Sequence, residues 1–203
     1  MTKVYPSFSQ LSKNSSSFNH VSCRPETFTI WMKSLVLNGN GCTVYNSKGQ
    51  IAYRVDNYDH KCGGEVYLMN LDGKILFKIV KKKHRICGRW EGYKCNDGLQ
   101  GENSRPWFKV KKPCYILRGF QPLYCEVSVD ADHSICCKIN KTSNSSYKIV
   151  GISGELLAEV KRKHTKSGID LGDDVLTLVV EPNIDQSLIM GMVVVYALVK
   201  FNM

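Results

Sequence analysis

The sequence predicts a mainly β fold, an antiparallel barrel of about twelve short strands closed around one buried hydrophobic C-terminal helix. Three observations lead there. From Thr27 onward the chain is made of short apolar or alternating runs separated by turn residues. Three hairpin patterns repeat, each with a glycine closing the turn. And from Leu188 to Val199 no residue is charged or strongly polar. A helix that is apolar on every side must be buried on every side. Closing the sheet removes its edges and lets the helix fill the middle, whereas an open sheet would leave one helical face in water.

In chain order, residues 1–24 read as a flexible serine-rich tail and 25–203 as the barrel domain. Ser7, Ser9, Ser12, Ser15, Ser16 and Ser17 lie in a stretch without apolar period. Residues 28–37 form an extended, β-rich segment. The first hairpin is Thr43-Val44-Tyr45, Asn46-Ser47-Lys48-Gly49 and residues 50–55; the second joins 65–69 to 74–80 through Asn70-Leu71-Asp72-Gly73. The third joins 147–150 to 155–160 through Gly151-Ile152-Ser153-Gly154. Between the second and third lie 88–93, a polar loop at 96–105, and further strands at 107–110, 114–117, 123–129 and 135–139. Residues 174–180 are a β-branched strand feeding the final helix at about 184–200. Pro182 fixes φ and Asp185 places a carboxylate near the positive helix start. The apolar run is too short for a bilayer span, which needs roughly 17–25 residues. A buried strand is the alternative, favoured by Val193-Val194-Val195 and disfavoured by length and capping.

At 203 residues with 43% apolar content, the chain fits one domain with a sizeable core. No apolar h-region follows Met1, so the expectation is a cytoplasmic, nuclear or peripheral membrane protein, not a secreted one. The nine cysteines are odd in number and irregular in spacing, without a CxxC pair, which points to reduced and mostly buried thiols. His60-Lys61-Cys62, His84 with Cys87, and His133 with Cys136-Cys137 lack the paired spacing of a zinc site. No metal and no cofactor is expected.

The net charge of +10 is local. Lys78, Lys81, Lys82, Lys83, Arg85 and Arg89 form one group without an acid among them; Lys109, Lys111 and Lys112 form a second, and Lys161, Arg162, Lys163, His164 and Lys166 a third. Such groups attract polyanions, and they also serve as solvated edges that discourage aggregation. The candidate anion- or lipid-binding residues are Lys81, Lys82, Lys83, Arg85, Lys161, Arg162 and Lys163. Both of these clusters follow the return strand of a hairpin, which allows them to share one barrel end.

Catalysis is not expected. The five histidines lie in polar or basic stretches, and no nucleophile elbow, P-loop, dinucleotide fingerprint or zinc-protease helix is present. Asp170, Asp173 and Asp174 around Gly172 lack EF-hand spacing. Nucleic acid is not an expected partner, since Trp90, Trp107 and the tyrosines are spread along strands with no stacking motif.

Four stretches carry a family resemblance: Phe28-Thr29-Ile30-Trp31-Met32-Lys33-Ser34; residues 44–58, from Val44-Tyr45-Asn46-Ser47-Lys48-Gly49 onward; Leu71-Asp72-Gly73-Lys74-Ile75-Leu76-Phe77-Lys78-Ile79; and residues 168–186, through Glu181-Pro182-Asn183-Ile184-Asp185-Gln186. They resemble the plant LURP-one-related proteins, within the tubby C-terminal-like superfamily that includes phospholipid scramblases. The resemblance covers about 25–203. It implies a twelve-stranded barrel around a C-terminal helix and a plant source. By analogy with tubby it suggests a phosphoinositide-binding, membrane-tethered transcription regulator, connected in some members with defence. Fold likeness does not fix function. Two readings follow: a module for phosphoinositide or other anionic lipid, and a protein-interaction or signalling adaptor.

Overall fold

Gly49, Gly73 and Gly154, which close the three repeated turns, take φ values of 76°, 77° and 91°. In this left-handed region glycine alone is free of a Cβ penalty. In the computed structural model, which describes residues 20–32, 41–56, 64–82, 89–95, 105–111, 124–129, 135–143, 146–165 and 167–201, these turns join β2 (Cys42–Tyr45) to β3 (Ile51–Asp56), β4 (Glu65–Asn70) to β5 (Ile75–Lys82), and β10 (Tyr147–Gly151) to β11 (Leu156–Arg162). The other strands are β1 (Glu26–Trp31), β6 (Arg89–Lys94), β7 (Phe108–Lys111), β8 (Tyr124–Val129), β9 (Ile135–Lys141) and β12 (Val175–Val180). The strand expected at 114–117 lies outside the described residues, as does Gly88, and β6 takes up the stretch from Arg89 on.

Each strand pairs antiparallel with its sequence neighbour, and β1 closes onto β12, with Glu26 opposite Val180 and Trp31 opposite Val175. Closure leaves no edge. Four return strands carry the same irregularity, one extra residue near their start: Ala52, Leu76, Cys136 and Leu157. A bulge bends the strand and sharpens its twist, which helps a sheet to curl. It also breaks alternation, so that Leu76 and Phe77, and likewise Leu157 and Ala158, are buried in succession.

The apolar run is α1 (Gln186–Phe201). Leu188 to Leu198 is buried on every side by the barrel wall. Asn183, at φ 62°, turns the chain inward after β12. Asp185 caps the helix: its Oδ1 accepts from the Ser187 amide at 2.9 Å, the Leu188 amide at 3.2 Å and the Ser187 hydroxyl at 2.6 Å. The helix starts at Gln186, so Pro182 shapes the preceding turn and does not occupy the first helical position. Residues 20–22, assigned to the tail on sequence grounds, clasp this start. The Gln186 amide donates to the His20 carbonyl at 2.9 Å and the Asn183 amide to the Ser22 carbonyl at 2.8 Å.

Strict alternation puts the C-terminal ends of all odd strands at one end of the barrel. The hairpin turns and the helix start lie at the other, the hairpin end. Tyr147 and Tyr196 stack at 4.2 Å between centroids inside the wall. A cavity of about 20 Å³ remains between α1 and the first strands, walled by Ile30, Cys42, Val55, Val66, Val194 and others. That is room for about one water, in an apolar lining that offers it few partners.

Candidate anion-binding face

Lys81 and Lys82 are exposed at the end of β5, Lys161 and Arg162 end β11, and Lys163 follows it. Lys83 and Arg85 lie outside the described residues. The strand ends share the far end of the barrel, because β5 and β11 run in the same sense. They do not form one patch. Six places apart in a ring of twelve strands, β5 and β11 face each other across the barrel. At about 4.8 Å per strand and a usual tilt, that is roughly 24 Å between backbones.

The two clusters also differ in how their charge is used. Lys161 Nζ lies 2.7 Å from Glu159, and Arg162 pairs with Asp170 at 3.1 Å and with Asp173. Lys163 donates to Thr29 Oγ1 on β1. The Lys161 hydrogen bond holds the Glu159 carboxyl below its ordinary range. Neither Lys81 nor Lys82 has a carboxylate partner among the described residues. Their ammonium groups sit instead over aromatic rings, Lys81 over Trp90 at 5.8 Å and Lys82 over Tyr93 at 5.7 Å.

Register brings the first basic group against the second. Lys82 is opposite Arg89 on β6, and Arg89 is opposite Lys111 on β7. Buried Phe77 and Ile79 point into the barrel, as do Trp90, Phe108 and Val110, so Lys82, Arg89 and Lys111 stand on the outer face. Directly opposed side chains are about 5 Å apart, so three cations line up within roughly 10 Å. Glu126 on β8 ends the row. Like charges directly opposite one another destabilise a sheet; Glu91, bonded to Arg89, and Glu126, opposite Lys111, offset part of that repulsion, and an anion laid across the row would offset the rest.

One layer inward from the rim, Glu91 organises the face. It is only 4% exposed although it points away from the core. Its Oε1 accepts from Arg89 Nη2 at 2.9 Å and its Oε2 from the Tyr93 hydroxyl at 2.6 Å. With Oε2 taken, the carboxylate does not grip the guanidinium at two points, and among the described residues Arg89 Nε is buried without a hydrogen-bond partner. Burial, then the bond to Glu91, pushes the Tyr93 phenol up to about 12. Burial lowers the Lys109 ammonium, partly offset by the facing Glu91.

Arg89 and Lys111 were visible as members of charged groups but absent from the candidates. Their alignment depends on loop lengths and strand register, which leave no mark in spacing. Of the histidines, His20 meets the Tyr53 hydroxyl at 3.1 Å and His164 meets Asp170 at 3.0 Å; His60, His84 and His133 lie outside the described residues. Among the described residues no group of three His, Cys, Asp or Glu is placed to hold a metal ion. No described helix is long and apolar enough to cross a membrane. The outer wall carries Lys78, Glu91, Lys109 and Glu159 in mid-strand. A lipid-spanning barrel shows the inverse, an apolar outer band.

Comparison with known proteins agrees with this architecture. A solved X-ray structure of an Arabidopsis thaliana protein superposes with a TM-score of 0.62, covering 87% of this chain and 91% of that one at 14% identity, which speaks for the fold alone. Among curated proteins, Arabidopsis thaliana LURP-one-related 3 and LURP-one-related 2 are each 47% identical over 183 residues, 89% of this chain and 82% of theirs. LURP-one-related 11 from the same plant is 40% identical over 207 residues, 98% of this chain and 89% of its own. Residues 26–197, nearly the whole barrel, match the family described as LURP-one-related. With that match and these relatives, the chain belongs to the LURP-one-related family.

Proposed function

We propose that this protein is a non-catalytic binding module that engages an anionic lipid surface, phosphoinositide included, through the outer face of β5–β7. The observation that carries the reading is the Lys82–Arg89–Lys111 row, aligned by register on the outer face, in which Lys82 has no carboxylate partner among the described residues. The β11 cluster is left out of the site, since both Lys161 and Arg162 have carboxylates at hand, whereas in the row Arg89 alone is bonded to one, Glu91. Extension to a membrane-tethered transcription regulator, with a role in plant defence, rests on the family resemblance alone.

Each cation held near an anionic leaflet contributes about 1 kcal/mol, so reversing one charge costs about 2 kcal/mol, or roughly thirty-fold in affinity. Co-sedimentation with phosphatidylcholine vesicles, with and without phosphatidylserine or phosphoinositide, tests this at physiological salt. Lys82→Glu and Lys111→Glu are expected to lose binding by that factor, and Lys161→Glu to change it by less than about threefold. Vesicle binding that is absent, or indifferent to Lys82→Glu and Lys111→Glu, overturns the reading. An adaptor would then lead, a reading supported by the exposed aliphatic side chains of Leu71 and Ile152 on two hairpin turns.

A further inference from the structure

At the far end, across the barrel from the cation row, the chain between β11 and β12 folds into a short arm. The Thr165 amide donates to the Ile169 carbonyl at 2.8 Å, the Gly168 amide to the Thr165 carbonyl at 2.9 Å, and the Leu171 amide to the Lys163 carbonyl at 3.2 Å. His164 and Asp170 form a bridge across it, and Gly168 at φ 82° makes the tip. Asp170 turns back to Arg162 and His164, at 3.1 and 3.0 Å. Its neighbours on either side therefore point the other way, as alternate residues of an extended segment do. Those neighbours are Ile169 and Leu171, 64% and 44% exposed.

The ion pairs that disqualify the β11 cluster as an anion site thus have a different consequence. They neutralise Asp170 and Asp173, fix the arm, and aim two adjacent aliphatic side chains into solvent. Cations on one side of the far end and aliphatic side chains on the other are separated by roughly the barrel diameter, about 24 Å. A flat surface that is both anionic and apolar beneath its charges meets both at once, and a bilayer is such a surface. A soluble polyanion satisfies only the cation row. We infer that the far end is a membrane-docking face on which the arm inserts Ile169 and Leu171 into the interfacial region of a bilayer while Lys82, Arg89 and Lys111 hold the headgroups. This rests on the anionic-surface reading above and adds to it a second contact, the insertion of Ile169 and Leu171 below the headgroups.

The test pairs two variants with two probes, phosphatidylcholine–phosphatidylserine vesicles and heparin. Ile169→Ser with Leu171→Ser changes only exposed side chains, so the fold should persist, checked by near-UV circular dichroism. Its vesicle affinity should fall roughly tenfold or more, from lost apolar burial, while heparin binding stays as in wild type. Lys82→Glu with Lys111→Glu should weaken both. A second readout is Ile169→Trp, whose added fluorescence should be quenched by brominated phospholipid beyond the quenching of the wild-type tryptophans. Wild-type vesicle binding by the serine variant, or no added quenching at position 169, overturns the insertion while leaving the anionic-surface reading intact. Wild-type protein that binds heparin but no vesicle overturns both.

Discussion

His20 ties the far N-terminal segment to the helix start, and it is absent from every pattern visible in the sequence. Its carbonyl accepts from Gln186, its Nδ1 meets the Tyr53 hydroxyl, and its ring stacks near Tyr53 at 5.6 Å between centroids. Burial lowers its pKa below the ordinary 6.5; Asp185 on the helix side opposes this, and Lys94 from β6 reinforces it. With the folded value depressed, the unfolded chain binds the proton more readily. The contribution to stability is therefore complete above the ordinary pKa and is lost as pH falls through the folded value. Between roughly pH 7.5 and 5.5, urea midpoints of wild type should decline more steeply than those of His20→Gln. Parallel declines would show that His20 does not titrate against the fold. The cap at Asp185 was legible, because acid near an apolar run has one obvious use. The clasp was not, since His20 and Gln186 lie at opposite ends of the chain.

Among the elements, β6, β7 and α1 meet at one side chain. Phe108 on β7 is fully buried and packs edge-on against Phe77, with centroids 5.5 Å apart. It fits because two glycines make room. A Cβ on Gly92 of β6 would lie 2.1 Å from the ring, and one on Gly191 of α1 would lie 2.9 Å from it. The first distance requires the ring to move inside a packed wall, so Gly92→Ala should cost about 2–3 kcal/mol, the upper part of the overpacking range. At Gly191 the contact is milder, and alanine gains about 1 kcal/mol of helix propensity, so the two nearly cancel. Denaturant midpoints of the two variants should differ accordingly; equal losses would mean that Phe108 is not the shared wall. The hairpins themselves were readable, since Gly49, Gly73 and Gly154 sit where a positive φ is needed. Their shared bulges were not. An extra residue such as Leu76 changes which face the strand buries without changing its composition.

At the scale of the whole molecule, barrel and helix are one core. Ten apolar residues of α1, from Leu188 to Leu198, are buried in the wall. At 1.5–3 kcal/mol for each sizeable side chain, their burial amounts to roughly 15 kcal/mol or more, as much as the whole net stability of an ordinary domain. A chain ending at Glu181 should therefore be insoluble or unfolded, as judged by size-exclusion chromatography and circular dichroism. A soluble, cooperatively melting product would show that the barrel stands without its helix. The sequence by itself determined most of the strands, the three hairpin turns, the helix and its central place. These follow from local φ preferences, from hydrophobic period, and from the need to hide an all-apolar helix. It also determined how much charge the chain carries and in which segments. Only the tertiary structure decided which of those charges meet. The register of three strands set Lys82, Arg89 and Lys111 in one row, and loop geometry gave Lys161 and Arg162 to nearby carboxylates. Side-chain periodicity records which face a residue takes, whereas pairing across strands depends on how the whole ring closes.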